Sequence, residues 1–209
     1  MHVQWYFDVI SPFAWLQLPK VVALRERTTV EPVPILFAVV LDRLGQLGPA
    51  EIPGKREFTY RFVRWQAERQ GLPLRFPPAH PFNPLLALRL CIAAGTEWHA
   101  VERIFAHVWQ HGCAADTVDG LRDVAAALGI ADIDAALTAD GVKQRLRTNT
   151  EQALVHGVFG VPTLRIGEQL FWGDDATAMA LDYLDDPRRF DGDEYRRIAA
   201  LPQAVQRRR

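Results

Sequence analysis

Cysteine is scarce in this chain, and its scarcity removes two kinds of chemistry at once. The 209 residues contain only Cys91 and Cys113, 22 positions apart. That spacing gives neither a C-x-x-C pair for dithiol exchange nor a cluster with zinc-ligand spacing. Both cysteines lie in apolar stretches with helical periodicity and are read as reduced, structural thiols of a cytoplasmic protein. Charge imbalance is missing too. The 24 Lys and Arg against 25 Asp and Glu leave a net charge of −1, which offers no electrostatic basis for binding nucleic acid or an anionic membrane. No apolar run reaches the ~20 residues of a bilayer span, and the segment Met1 to Asp8 lacks the basic region and apolar core of a secretion signal. Internal repeats are absent. What the chain has is 49% hydrophobic residues, enough for one substantial core with a large insertion.

Strand signals cluster at the two ends. Val3 to Val9 is aromatic and β-branched, and Ser11-Pro12 then supplies a hydroxyl cap with proline at the first helical position, predicting a helix from about Phe13 to Arg27. Glu31 to Phe37 reads as a second strand, completing a β-α-β unit whose strands are normally parallel. From about Leu41 to Gly157 the periodicity is helical instead. Phe58, Phe62 and Trp65 share one face, Val101, Ile104, Phe105, Val108 and Trp109 another, and Leu121, Val124, Ala125 and Leu128 a third. All three stripes are read as core. Asp116 or Thr117 is placed to cap one helix, and Gly129 and Gly157 to end two. Pro162 to Ile166, then Gly167-Glu168, then Gln169 to Trp172 predicts a two-residue hairpin, followed by a helix from about Asp175 to Leu184. Residues 188–209 are highly charged without a long stripe and are expected to be partly disordered.

The expected fold class is therefore α/β, β-α-β plus β-β-α interrupted by helices. Residues 1–40 and 158–187 form the strand-bearing part, 41–157 the α-helical insertion, and 188–209 a charged tail.

Three short stretches occupy the functional places of such an arrangement: Asp8-Val9-Ile10-Ser11-Pro12-Phe13, Gly160-Val161-Pro162-Thr163, and Trp172-Gly173-Asp174-Asp175. Taken alone each has an ordinary explanation. Ser11 is an N-cap, Val-Pro-Thr a strand edge, and the two aspartates helix caps. Their order resembles the DsbA-like branch of the thioredoxin superfamily, and within it the kappa-class glutathione transferases and the 2-hydroxychromene-2-carboxylate isomerases. Gly45 to Arg56 and Pro77-Pro78-Ala79-His80-Pro81-Phe82-Asn83-Pro84 are similar to segments of the isomerase branch, with Gln46 where many members carry asparagine. The resemblance covers all but the tail.

It implies a thioredoxin-like fold, glutathione as cofactor, a small aromatic carboxylate as substrate and a homodimer. Ser11 then stands where a redox relative has its catalytic cysteine. A serine hydroxyl at a helix N-terminus, with backbone N–H groups and the positive end of the helix dipole beside it, is suited to stabilise a bound thiolate. By the same resemblance Val161-Pro162 is a cis-proline pair, and Val161 offers its main chain to the cysteinyl part of glutathione. Asp174 and Asp175 meet the α-amino group of the γ-glutamyl end, while Gln46 and Lys55 contribute an amide and a positive charge to the tripeptide. The implied reaction interconverts 2-hydroxychromene-2-carboxylate and trans-o-hydroxybenzylidenepyruvate by thiolate addition and elimination. Conjugation of electrophiles by a kappa-like transferase, or a non-catalytic glutathione-binding module, are the alternatives. His107 and His111 share a helical face, but no glutamate follows His107 as in H-E-x-x-H and no third ligand stands nearby, so no metal site is expected. Trp5, Trp15 and Trp172 lie near enough to the motifs to wall an aromatic pocket. Whether His80 touches substrate stays open.

Overall fold

The computed structural model describes residues 1–205. Strands β1 (His2–Phe7), β2 (Thr29–Pro34), β3 (Thr163–Ile166) and β4 (Gln169–Trp172) form one sheet in the order β2-β1-β3-β4. The β1–β2 pair is parallel, and β1–β3 and β3–β4 are antiparallel. Helix α1 (Pro12–Leu24) links β1 to β2. Between β2 and β3 stand α2 (Phe37–Leu44), α3 (Lys55–Gln70), α4 (Leu85–Ala93), α5 (Trp98–Phe105), α6 (Val118–Ala127), α7 (Ile133–Thr138) and α8 (Asp140–Val155). Helices α9 (Thr177–Asp185) and α10 (Asp193–Ala199) follow β4. This is the thioredoxin-like arrangement with helices between its two halves that the sequence predicts.

Alternation along β1 divides the core. Val3, Trp5 and Phe7 point to one face and join α1, α4, α5, α6 and α9 in the larger apolar cluster, as the period of two in a strand requires. Tyr6 points to the other face, where Val33, Ile35, Val40, Ala153, Val158 and Val161 form a second, smaller cluster. Because the larger cluster contains residues from both the sheet and the intervening helices, the two parts are packed through a shared core.

Several boundaries differ from the sequence reading. β1 ends at Phe7 because the Asp8 carboxylate accepts the N–H of Ile10 (3.0 Å) and turns the chain. β2 ends at Pro34, and Phe37, expected as its last residue, is the first residue of α2. α1 stops at Leu24, with Arg25 to Arg27 in turns. Helix α9 begins at Thr177 rather than Asp175. Thr117 is the cap of α6, accepting the N–H of Gly120 at 3.1 Å, and Gly167, at φ +59°, makes the hairpin turn. Cys91 is buried in α4, but Cys113 lies in a loop after the π-helical turn Ala106–Gln110, outside any helix. The tail, expected to be partly disordered, carries α10, and its last four residues lie outside the described part. On α3 the expected core stripe is wrong: Phe58 is 60% and Trp65 48% exposed.

Candidate active site

The loop after β1 is fixed by its own first residue. Asp8 is fully buried. One carboxylate oxygen accepts the Ile10 N–H, the other accepts the Phe37 N–H at 2.9 Å, and its carbonyl accepts the Ser11 N–H at 3.0 Å. Burial raises the Asp8 pKa to about 7 against the opposing pull of the two backbone hydrogen bonds, since desolvation penalises the charged form. The turn delivers Ser11, in an extended conformation, to the N-cap of α1, where its Oγ accepts the Ala14 N–H at 3.4 Å. Pro12 follows at the first helical position, which needs no N–H donor.

The helical part holds the same loop from the other side. The Trp109 indole N–H donates to the Val9 carbonyl at 2.8 Å, and His80 Nε2 lies 2.9 Å from the Ile10 carbonyl. A carbonyl only accepts, so this contact places the ring hydrogen on Nε2. His80 Nδ1 meets the Tyr60 hydroxyl at 2.8 Å. Burial lowers the His80 pKa, with the Arg56 charge acting in the same sense and the Ile10 bond opposing both. The ring is therefore neutral at pH 7.

Opposite Ser11 stands the Val161–Pro162 peptide, which is cis. The Ser11 hydroxyl donates to the Val161 carbonyl at 3.4 Å. These two residues border a cavity of about 430 Å³. Phe13, Phe37, Phe62 and Trp172 supply its aromatic lining, His80 and Thr59 line it as well, and Glu51, Asp174 and Asp175 are its acidic members. Gly160 lets Trp172 lie close, because a Cβ on Gly160 would sit 2.3 Å from the indole nitrogen.

Beyond Asp174 and Asp175 the cavity adjoins a smaller pocket of about 330 Å³ with polar walls, among them Lys20, Gln66, Gln70 and Thr177. Asp174 is buried, and its carboxylate pairs with Lys20 Nζ at 2.6 Å and accepts Gln70 Nε2 at 3.3 Å. The turn that places it is held by Gln17, itself buried in α1. The Gln17 amide donates to the Gly173 carbonyl and the Thr177 hydroxyl, both at 3.0 Å, and accepts the Trp5 indole N–H at 2.8 Å.

Of the residues singled out from sequence, Ser11, Val161, Asp174 and Asp175 thus meet around one cavity, with Pro162 directly behind Val161. Gln46 and Lys55 lie outside its lining. Gln46 follows the left-handed Gly45 that ends α2, and its N–H closes onto the Leu41 carbonyl at 2.9 Å, with the residue left exposed. Lys55 is exposed at the first position of α3. Trp5 and Trp15 do not wall the pocket: Trp5 stacks on Phe7 in the core, and the Trp15 indole donates to the Pro73 carbonyl. Sequence reasoning missed Asp8 as an anchor and the pair Gln17 and Lys20. A signal existed for both, since an acid directly after an aromatic strand and two polar residues inside the apolar α1 each need a buried or charged partner.

Among the described residues no helix is long and apolar enough to cross a membrane, and no group of three or more His, Cys, Asp or Glu side chains is placed to hold a metal ion.

Comparison with known proteins agrees with this geometry. A curated 2-hydroxychromene-2-carboxylate isomerase of Pseudomonas putida is 30% identical over 192 residues, which cover 86% of this chain and 92% of that protein. Glutathione s-transferase kappa 2 of Caenorhabditis elegans is 25% identical, covering 88% of this chain and 92% of its own. The solved structure of a 2-hydroxychromene-2-carboxylate isomerase superposes with a TM-score of 0.78 at 25% identity, covering 93% of this chain and 99% of that one. Cytosolic disulfide reductase DsbM of Pseudomonas aeruginosa, at 15% identity and a TM-score of 0.60 over 88% of this chain and 99% of that one, shares the fold alone. The model of the DSBA-like thioredoxin domain matches residues 2–185, and the chain belongs to that family.

Proposed function

We propose that this chain is a glutathione-dependent isomerase that interconverts 2-hydroxychromene-2-carboxylate and trans-o-hydroxybenzylidenepyruvate, or a related intermediate of aromatic degradation. The observation that carries the reading is Ser11, capping α1 at the cavity wall within 3.4 Å of the Val161 carbonyl. Relatives named as this isomerase and as a kappa glutathione transferase support it.

The residues present fit glutathione. Its γ-glutamyl head carries both an ammonium and a carboxylate, and the polar pocket holds the matching pair, Asp174 and Lys20, with Asp175 at the boundary. Val161 supplies a main-chain carbonyl that, among the described residues, accepts only the long Ser11 contact. When bound, glutathione supplies a thiolate that adds to a conjugated carbon, frees the former double bond to rotate, and is returned on elimination.

The protein's share is to make and hold that anion. A free thiol of this type has a pKa of about 8.5, and a helix N-terminus lowers it. Ser11 would hold the sulfur by donating its hydroxyl, now spent on the long contact to Val161, and the N-terminal end of α1 would add its dipole. Phe13, Phe37, Phe62 and Trp172 exclude water around the reacting carbons, which strengthens that donation. His80, neutral and held between Tyr60 and Ile10, keeps the loop in place without adding a charge to the wall.

The test is a steady-state assay of the ultraviolet change of trans-o-hydroxybenzylidenepyruvate. Turnover should depend on glutathione and leave its concentration unchanged. Equal rates without glutathione would refute the mechanism, and stoichiometric loss of glutathione would identify a transferase instead.

A further inference from the structure

The cavity has an imbalance of charge that the isomerase reading must answer. Among the described residues no lysine or arginine lines it, whereas Glu51, Asp174 and Asp175 do. Glu51 accepts the Gly48 N–H at 2.6 Å, and Asp174 is paired with Lys20 on the side of the polar pocket. A substrate bearing a carboxylate therefore finds no cation on the walls, and a cation for it must come from beside them.

Arg56 stands beside the wall, bonded to the main chain of the cavity-lining His80. It lies in the first turn of α3, three residues before the cavity-lining Thr59 and so on the same side of the helix. Its Nε donates to the Tyr60 hydroxyl at 3.2 Å, and one Nη2 hydrogen goes to the His80 carbonyl at 2.9 Å. The guanidinium also packs over the Tyr60 ring, 5.5 Å from its centre. His80 itself lines the cavity, so the group that Arg56 grips is part of the wall. These contacts use two of the five N–H bonds of a guanidinium. They fix its plane and leave the Nη1 end without a protein acceptor among the described residues. A planar fork held on one edge and open on another matches a carboxylate with two parallel hydrogen bonds.

We infer that Arg56 is the specificity-determining residue that receives the carboxylate of the aromatic substrate at the His80 end of the cavity. This rests on the isomerase reading above for the chemical class of the ligand. It assigns the two ends of the cavity to different anions: Lys20 faces the glutathione side, and Arg56 faces the aromatic acid.

Binding rather than turnover tests it. Benzylpyruvate is an aromatic keto acid without a conjugated double bond, and benzylacetone is its uncharged counterpart; neither can undergo the reaction. Titration calorimetry of the full chain at saturating glutathione should show that the wild-type protein prefers the acid. Arg56→Gln should weaken benzylpyruvate about 10- to 100-fold, as expected for loss of hydrogen bonds to a charged group, while benzylacetone affinity is retained and reports an intact fold. Arg56→Lys, which keeps the charge without the fork, should fall between. A wild-type protein with no preference for the acid, equal losses for both ligands, or a charge-selective loss in Lys55→Ala in place of Arg56→Gln would each overturn the assignment. Absence of turnover of trans-o-hydroxybenzylidenepyruvate, seen in the separate assay, would count against the isomerase reading alone.

Discussion

The hydroxyl oxygen of Ser11 lies 3.4 Å from the carbonyl oxygen of Val161, across a sequence separation of 150 residues. At that length the hydrogen bond is longer than O–H···O bonds ordinarily are, so little holds the hydroxyl back from a better acceptor. A sulfur anion between the two residues is such an acceptor. Ser11→Ala should reduce kcat on the order of 100-fold, the usual loss when one donor to a developing or stored anion is removed. The dissociation constant for glutathione should change little, because on the proposed reading most of the tripeptide would be held elsewhere, at Val161, Lys20 and Asp174. Calorimetry alongside steady-state kinetics separates the two; loss of binding with unchanged turnover per bound enzyme would contradict the role.

Gly160 makes room for Trp172, which lines the cavity. Gly160→Ala places a methyl group 2.3 Å from the Trp172 indole nitrogen, a distance that forces the ring to move. Overpacking of this kind costs about 1–3 kcal/mol, which lowers the melting temperature by several degrees in a chain of this size. The displaced indole should show a shifted emission maximum and weaker substrate binding. An unchanged spectrum and melting point would mean that the ring is free to give way.

Lys20 and Asp174 form an ion pair that is dry on one side only: the lysine side chain is 39% exposed and the aspartate 4%. Lys20→Met strands a buried carboxylate, at a cost of about 1–2 kcal/mol once the solvent screening of the exposed partner is allowed for. Adding Asp174→Asn to that variant should recover most of the stability, since no unpaired charge remains, yet leave glutathione affinity low. Urea melts and glutathione titrations of the single and double variants give this as a coupling energy. Recovery of both quantities together would place the pair outside the binding site.

Asp8 makes stability depend on pH in the direction opposite to an ion-paired acid. Its folded pKa, about 7, stands above the ordinary value of 3.8. Between these values the folded protein keeps a proton that the unfolded chain releases, so its contribution to stability is complete below about pH 4 and declines as pH rises toward 7. The decline is on the order of a few kcal/mol. Urea midpoints measured from pH 4.5 to 8 should fall more steeply for the wild-type chain than for Asp8→Asn, whose midpoint starts lower through loss of one accepted N–H. Parallel profiles would show that Asp8 does not titrate in this interval.

The ends of the chain were readable because their patterns are local. A strand's alternation, a Ser-Pro helix start and a Gly-Glu turn each fit within a few residues, and the hairpin and Ser11 cap are where those signals put them. The middle was harder. An apolar stripe on α3 looks the same in sequence whether it faces a core or a cavity, and Phe62 lines the cavity while Phe58 and Trp65 meet solvent. The same limit applies to Trp5 and Trp15, where nearness along the chain to a motif said nothing of the side to which β1 and α1 turn them. Lys20 and Asp174 meet over 154 positions, a pairing that neither residue's own surroundings can announce.

His80 and Trp109 grip the loop before Ser11 through the carbonyls of Ile10 and Val9. Every amino acid has a carbonyl, so this hold takes no account of which side chain stands at position 11. Exchange of that serine for cysteine would leave both anchors as they are and remove only the Oγ cap on the Ala14 N–H. The scaffold therefore holds position 11 without regard to its side chain, and on the proposed function one atom there would separate a protein that borrows a thiol from one that carries its own.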